Sequence, residues 1–472
     1  MHDSSWLISI GMVTMFAMFL SPTRAPAAAP RNAAPVLPPI APLAAPPIAP
    51  PAGPPIAPPS TPPAGPPVAA PAPPVARSPA QLDALLARYD RGTPDERRTL
   101  GPEIDAAAAQ RYAVFSRLYW YTDLDEAKQA ARRLHRPILA LRMLGDLRAD
   151  LSCANSRLFR ATLYANAEVS AFLRGKFVLY WSSEREVPKV TIDFGDGRKL
   201  VRTVTGNSAH YVLDAAGHVL DVLPGLYAPR VFQRELARSL ALADRVRDLP
   251  DPERVNAVVA YHATAAADTD RAWQKAQGVP YAPGRQLLIG AGETESDLAR
   301  AQRATMSKRV MEIPDLKKIG MVGPGELPED DSAAWSAIGQ QMWNIQRAPQ
   351  RIPLPPQPGS PAIAPLVLDA ASRTLVSWLH NAGPADQRAT PAQLETMLGR
   401  LEQHIVADTA INQFRLRQAI HRQIVATRQL DFAALNAWIY GAVFATPSSD
   451  PWLGLRARTE FSGLPGDGVV VP

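Results

Sequence analysis

The chain has 472 residues, enough for two or three domains, and its 50 basic and 44 acidic side chains leave a formal net charge of +6. That near balance argues against a nucleic-acid binder, and a single cysteine excludes an intramolecular disulfide, a cysteine-only zinc site and an N-terminal lipoprotein anchor. The anomaly is 49 prolines, about twice the usual share.

Trp6 to Leu20 (WLISIGMVTMFAMFL) is a run of about 15 mostly apolar residues, short for a bilayer span and long enough for a signal-peptide core. Ala25-Pro26-Ala27 places small residues at the two positions a signal peptidase reads, whereas MHDSSW lacks the usual Lys or Arg. Residues 1–27 read first as a secretory signal, second as an uncleaved anchor and third as a buried helix. The first two imply an exported protein, periplasmic or held at the inner membrane with its folded part outside the cytoplasm. Any membrane contact then runs through this segment. Residues 28–79 are expected to be a disordered proline-rich spacer, because 21 prolines fall between Pro30 and Pro79. Proline donates to no helix or sheet ladder, and almost nothing large and apolar accompanies it. The segment reads as an extended stalk, with a ligand for a proline-binding domain as the alternative.

Folded sequence begins at Ser78-Pro79-Ala80-Gln81, an N-cap with proline at the first helical position and Gln at the third. Leu82, Leu85, Leu86 and Tyr89 follow at helical spacing. Thr93-Pro94-Asp95-Glu96 starts a second helix in the same way, which gives a helical lead-in over 80–117. Within 118–245, Thr122 or Asp123 caps a helix with Leu124, Ala127, Ala131 and Leu134 on one face, stopped by Arg136-Pro137. Ile138 to Leu144 reads as a strand. Cys153 opens a helix running to about Leu173, and Lys176 to Trp181 is the next strand. Val190 to Val204 looks like a hairpin around Gly195-Asp196-Gly197. Tyr211 to Leu213 and His218 to Val222 flank a turn at Asp214-Ala215-Ala216-Gly217, and a helix covers Pro229 to Leu240. This order predicts an α/β sandwich.

Residues 246–361 read as poorly packed connection with a few helices. Residues 362–472 form a mostly α-helical C-terminal domain, expected to pack as a small bundle. Thr390-Pro391-Ala392-Gln393 caps a helix carrying Leu394, Met397, Leu398, Leu401 and Ile405, and Asp431 caps another with Leu435, Trp438, Ile439 and Val443 inward. Trp452 is expected to plug this bundle, with a binding role as the alternative. Gly290-Ala291-Gly292 lacks the third glycine and the lysine of a nucleotide loop, so it reads as a turn and helix start. The acidic cluster Glu326 to Asp331 reads as a solvated loop. No pair among the eight histidines has zinc-ligand spacing; His404 and His421 read as surface or core-edge residues. Neither a metal nor another cofactor is implied, and no GxSxG appears.

The stretch from Tyr119 to Leu240 resembles the thioredoxin-like superfamily, in particular its exported members. YTDLDEAKQAARRLHRPILAL is similar to their first helix and strand, YANAEVSAFLRGKFVLYW to the later half of their active-site helix with the following strand, and YVLDAAGHVLDVLPGLY to their closing hairpin. The resemblance implies a thioredoxin-like α/β sandwich over 118–245. It places Cys153-Ala154-Asn155-Ser156 where the family carries two cysteines separated by two residues, a CxxS in place of CxxC. The sixteen residues from Cys153 to Val169 agree with that match. About five extra residues within GDLRADLS lengthen the corner before Cys153, and Asn207-Ser208-Ala209 stands where the family places a cis-proline opposite the thiol.

A helix N-terminus carries about half a positive charge and stabilises a thiolate. Cys153 is therefore expected at a helix start and partly accessible, with Ser156 as a hydrogen-bond donor to it. Two functions remain open. The first is a non-catalytic binding or scaffold module in the cell envelope, with the fold as platform and the helices as interface. The alternative is a monothiol thiol-disulfide oxidoreductase or isomerase that uses Cys153 as nucleophile and an outside thiol to finish the exchange. The partner is a protein in the first case and a protein thiol or disulfide in the second.

Overall fold

The computed structural model describes residues 77–277 apart from 205, the single positions 298 and 302, residues 332–343, and residues 367–452 apart from 384, 386, 387 and 448. The signal or anchor segment, all but the last three residues of the spacer, Gly290-Ala291-Gly292 and the cluster Glu326 to Asp331 lie outside the described residues.

The lead-in starts where the caps put it. Ser78 accepts a hydrogen bond from the Gln81 amide and opens α1 (Pro79–Arg91). Thr93 and Glu96 close a reciprocal capping box at the start of α2 (Pro94–Ala108). Leu82, Leu86, Leu100 and Ile104 bury against one another between the two helices. After a single turn, α3 (Ala113–Ser116), Asp123 caps α4 (Leu124–Leu134) by accepting from the Asp125 and Glu126 amides. Its inward face is small, Ala127, Ala130 and Ala131, and Leu134 is 47 % exposed instead of inward.

The strands are β1 (Ile138–Leu144), β2 (Val178–Arg185), β5 (Ala209–Leu213) and β6 (Val219–Pro224), with β3 (Lys189–Asp193) and β4 (Lys199–Thr203) inserted between β2 and β5. They form a four-stranded mixed sheet in the order β2-β1-β5-β6 and a separate two-stranded hairpin. β1 runs parallel to β2, Ile138 beside Val178, and antiparallel to β5, Ile138 beside Leu213. β5 and β6 are buried along their whole length, as strands covered on both faces are.

The single helix expected from Cys153 to Leu173 is split. α5 (Ala154–Leu158) runs into a π-turn over Phe159–Leu163, and Asn166 caps a new helix, α6 (Ala167–Lys176). The Thr162 hydroxyl donates to the Leu158 carbonyl, and the Tyr164 amide reaches back to Phe159, which widens the turn before Asn166 restarts the chain.

α7 (Pro229–Val246) is longer than expected, and α8 (Asp251–Gln277) is a 27-residue helix at the start of the stretch expected to be poorly packed connection with a few helices. The remaining helices are α9 (Ser332–Trp343), α10 (Ala370–His380), α11 (Pro391–Ile411), α12 (Arg417–Thr427) and α13 (Phe432–Trp438). π-turns extend α11 over Asn412–Leu416 and α13 over Ile439–Val443. Thr390 and Asp431 cap α11 and α13 as expected. Trp452 does not plug the helices; it is 39 % exposed. One buried apolar cluster runs from Trp120 and Leu141 through Leu220, Phe232 and Val258 to Leu401, Ile420 and Tyr440, so sheet and C-terminal helices share a core. No helix among the described residues is long and apolar enough to cross a membrane.

Candidate functional site

Cys153 takes the N-cap position of α5, as the sequence predicts, but the expected access is not there: the residue is 0 % exposed. Its amide donates to the Leu144 carbonyl at 3.2 Å, which ties the helix start to the end of β1. The thiol lies 3.1 Å from the Ser208 hydroxyl and 3.5 Å from that of Ser156. Ser208 is thus brought opposite the thiol, on an ordinary trans peptide bond. Ser156 does not serve as the expected donor to sulfur. Its proton is directed to the Ser152 hydroxyl at 2.6 Å or the Cys153 carbonyl at 2.8 Å, and the thiol donates to it.

What seals the sulfur is the chain entering β5. Gly206 has φ +123°, and a Cβ there would sit 3.2 Å from the Cys153 Cβ and 3.3 Å from a Leu144 methyl. Only a residue without a side chain lets the backbone pass this close over the cysteine. Asn155 donates to the Asn207 side chain, and the Tyr440 hydroxyl, from the turn after α13, donates to the Asn207 carbonyl at 3.3 Å.

The lengthened corner before Cys153 has its own anchor. Arg160 is buried and donates to the carbonyls of Leu147 (2.9 Å) and Ala149 (2.7 Å) and to the Ser152 hydroxyl (3.1 Å). Burial pushes its guanidinium down to about 10. Behind it, the Tyr164 hydroxyl and His210 Nε2 lie 2.6 Å apart, and burial pushes the His210 imidazole down to about 3.

A second buried polar group lies where the C-terminal helices meet β6. Asp221 Oδ2 accepts from Ser239 of α7 at 2.6 Å and from Tyr261 of α8 and Arg417 of α12, both at 2.7 Å. Arg417 also donates to Glu235 at 2.8 Å, and Glu235 takes a further bond from Arg234 at 2.7 Å. Burial raises the Asp221 carboxyl, but Arg417 first, then the neighbouring His262 and His421 and the Ser239 bond, outweigh it and hold it below the carboxylate range. Beside this group, His262 Nδ1 and His421 Nδ1 are 2.7 Å apart, and His262 Nε2 lies 3.0 Å from the Leu220 carbonyl. His421, expected at the surface or core edge, is buried.

Asp221, His262 and His421 are the donor types of a two-histidine, one-carboxylate metal centre, and their donor atoms lie within 4.8 Å of one another. The fit is poor. The two imidazole nitrogens are at hydrogen-bond distance, and the Arg417 guanidinium already supplies the positive charge that the carboxylate needs. The group is a hydrogen-bonded ionic network. Sequence reading missed the group, naming only His421 and that as a surface or core-edge residue; the available signal was Asp221 inside the otherwise apolar run VLDVL.

Chemically, the Cys153 site is a protected thiol: an attacking disulfide meets Gly206 to Ser208 before it meets sulfur. Comparison of the chain with known protein families, with curated proteins and with solved structures found no match, so the functional reading rests on this geometry.

Proposed function

We propose that the chain is an exported thioredoxin-fold protein acting as a non-catalytic binding or scaffold module in the cell envelope, with a protein as its partner. The observation that carries this reading is the sealed Cys153, which has no second cysteine to resolve a mixed disulfide. The fold assignment is supported by the order β2-β1-β5-β6, by the helical crossover between parallel β1 and β2, and by the placing of Cys153 and Ser208 against each other. Export is supported by the apolar run and small-residue site in 1–27. A binding role is supported by the hairpin β3–β4, where Val190, Ile192 and Leu200 share a half-buried face and Phe194 at the tip is 57 % exposed. A hairpin outside the main sheet that leaves these apolar side chains only partly covered suits protein contact.

The deciding measurement is the reactivity of the thiol in the native and the denatured protein. Native Cys153 is expected to resist an aromatic disulfide reagent, to react fully once denatured, and to support no glutathione-dependent disulfide exchange. The monothiol reading is favoured by the helix N-cap position of Cys153. Rapid native labelling, with exchange activity abolished by Cys153→Ser, overturns the proposal in favour of that reading.

A further inference from the structure

We propose that the imidazoles of His262 and His421 form an acid-sensitive latch that fastens α8 and α12 to β6 at neutral pH and releases them when it takes up a proton. The Leu220 carbonyl only accepts, so His262 Nε2 carries a proton and, in a neutral ring, Nδ1 is an acceptor. His421 Nδ1 must then donate to it, which leaves His421 Nε2 buried without a hydrogen-bond partner. Two neutral rings fit this arrangement. A second proton on the pair sets two N–H groups head-on at a separation of 2.7 Å.

The anion nearest the pair, Asp221, already has its charge met by Arg417. From β6 the pair faces Asp221, whose Oδ2 already accepts from Ser239, Tyr261 and Arg417. From α7 come Glu235, bound by Arg417 and Arg234, and the cation Arg238. α8 adds Tyr261, α12 adds Arg417, and the chain before α7 adds Tyr227, whose hydroxyl makes no hydrogen bond. About two turns further along α8, Asp270 is occupied by Gln418 and Arg422. Burial lowers both imidazoles below their ordinary range; the Arg417 charge adds to it, and the Asp221 carboxylate opposes it without restoring either ring. A histidine that binds a proton only when opened gives opening up to about tenfold per pH unit below about 6.5.

The test is amide hydrogen exchange of the full chain, corrected for intrinsic rates, from about pH 7.5 to about pH 5. Peptides from α8 and α12 are expected to gain opening by about tenfold per pH unit once below about pH 6.5, ahead of peptides from β1 and β2. In His262→Gln/His421→Asn, which keeps a donor for Leu220 and one between the helices, that slope should vanish. An unchanged slope in this variant overturns the latch. So does wild-type protein in which α8 and α12 open no sooner than β1 and β2, and this arm decides if the variant fails to fold. Imidazole signals of the wild-type pair that titrate at or above about 6.5 overturn it as well.

Discussion

At Gly206 the backbone takes φ +123°, and the space a side chain needs is filled by Cys153 and Leu144. Gly206→Ala therefore combines a strained backbone with a crowded Cβ. It is expected to cost about 1–3 kcal/mol in urea unfolding and to increase native labelling of Cys153, because the segment that seals the thiol before β5 is displaced. A second residue effect concerns pH. His210 is buried and its pKa falls from about 6.5 in the unfolded chain to about 3 in the fold. The folded state then refuses a proton that the unfolded state accepts, so its contribution is intact above about pH 6.5 and is lost progressively as pH falls towards 3. By pH 5 the loss amounts to about 2 kcal/mol. His210→Gln keeps a polar partner for Tyr164 and removes the titration, so its stability should fall less between pH 7 and pH 5 than that of the wild type, by about that amount.

Among the elements, helix starts were the most legible. Ser78, Thr93, Asp123, Thr390 and Asp431 each bond the amide two or three residues on, a contact written within one turn of sequence. α8 was not legible, because its inward face carries His262 and Thr269 beside Val258 and gives little apolar periodicity. The break between α5 and α6 was not legible either: Asn166 reads equally as a polar residue within a helix and as a cap, and the π-turn decides between them. α12 is also tied to β6 and α7 through Arg417, which is buried with both of its carboxylate partners. Arg417→Leu leaves Asp221 and Glu235 without their shared cation, and equilibrium unfolding should show a loss of about 3–5 kcal/mol. Glu235 keeps Arg234, so the larger part of that loss belongs to Asp221.

For the whole molecule, the C-terminal helices share one core with the four-stranded sheet. The Val219 amide of β6 donates to the Leu430 carbonyl, Tyr211 of β5 donates to Asn436, Asn412 holds the Leu226 carbonyl, and Thr409 receives the Ala228 amide. Removing residues 367–472 strips these partners and uncovers fully buried strands. A fragment spanning 77–277 is expected to lack a cooperative thermal transition, measured by circular dichroism, whereas the full chain shows one. A fragment that melts cooperatively at the temperature of the full chain would show the helices to be an independent domain. The sequence by itself determined the capped helices, the strand order along the chain and the place of Cys153 at a helix start, because caps, periodicity and turns act over a few residues. Tertiary structure alone decided that the thiol is closed off by Gly206 and Ser208. It alone brought Asp221 and Arg417 together across 196 positions of sequence, since burial and ion pairing depend on contacts that no local pattern records.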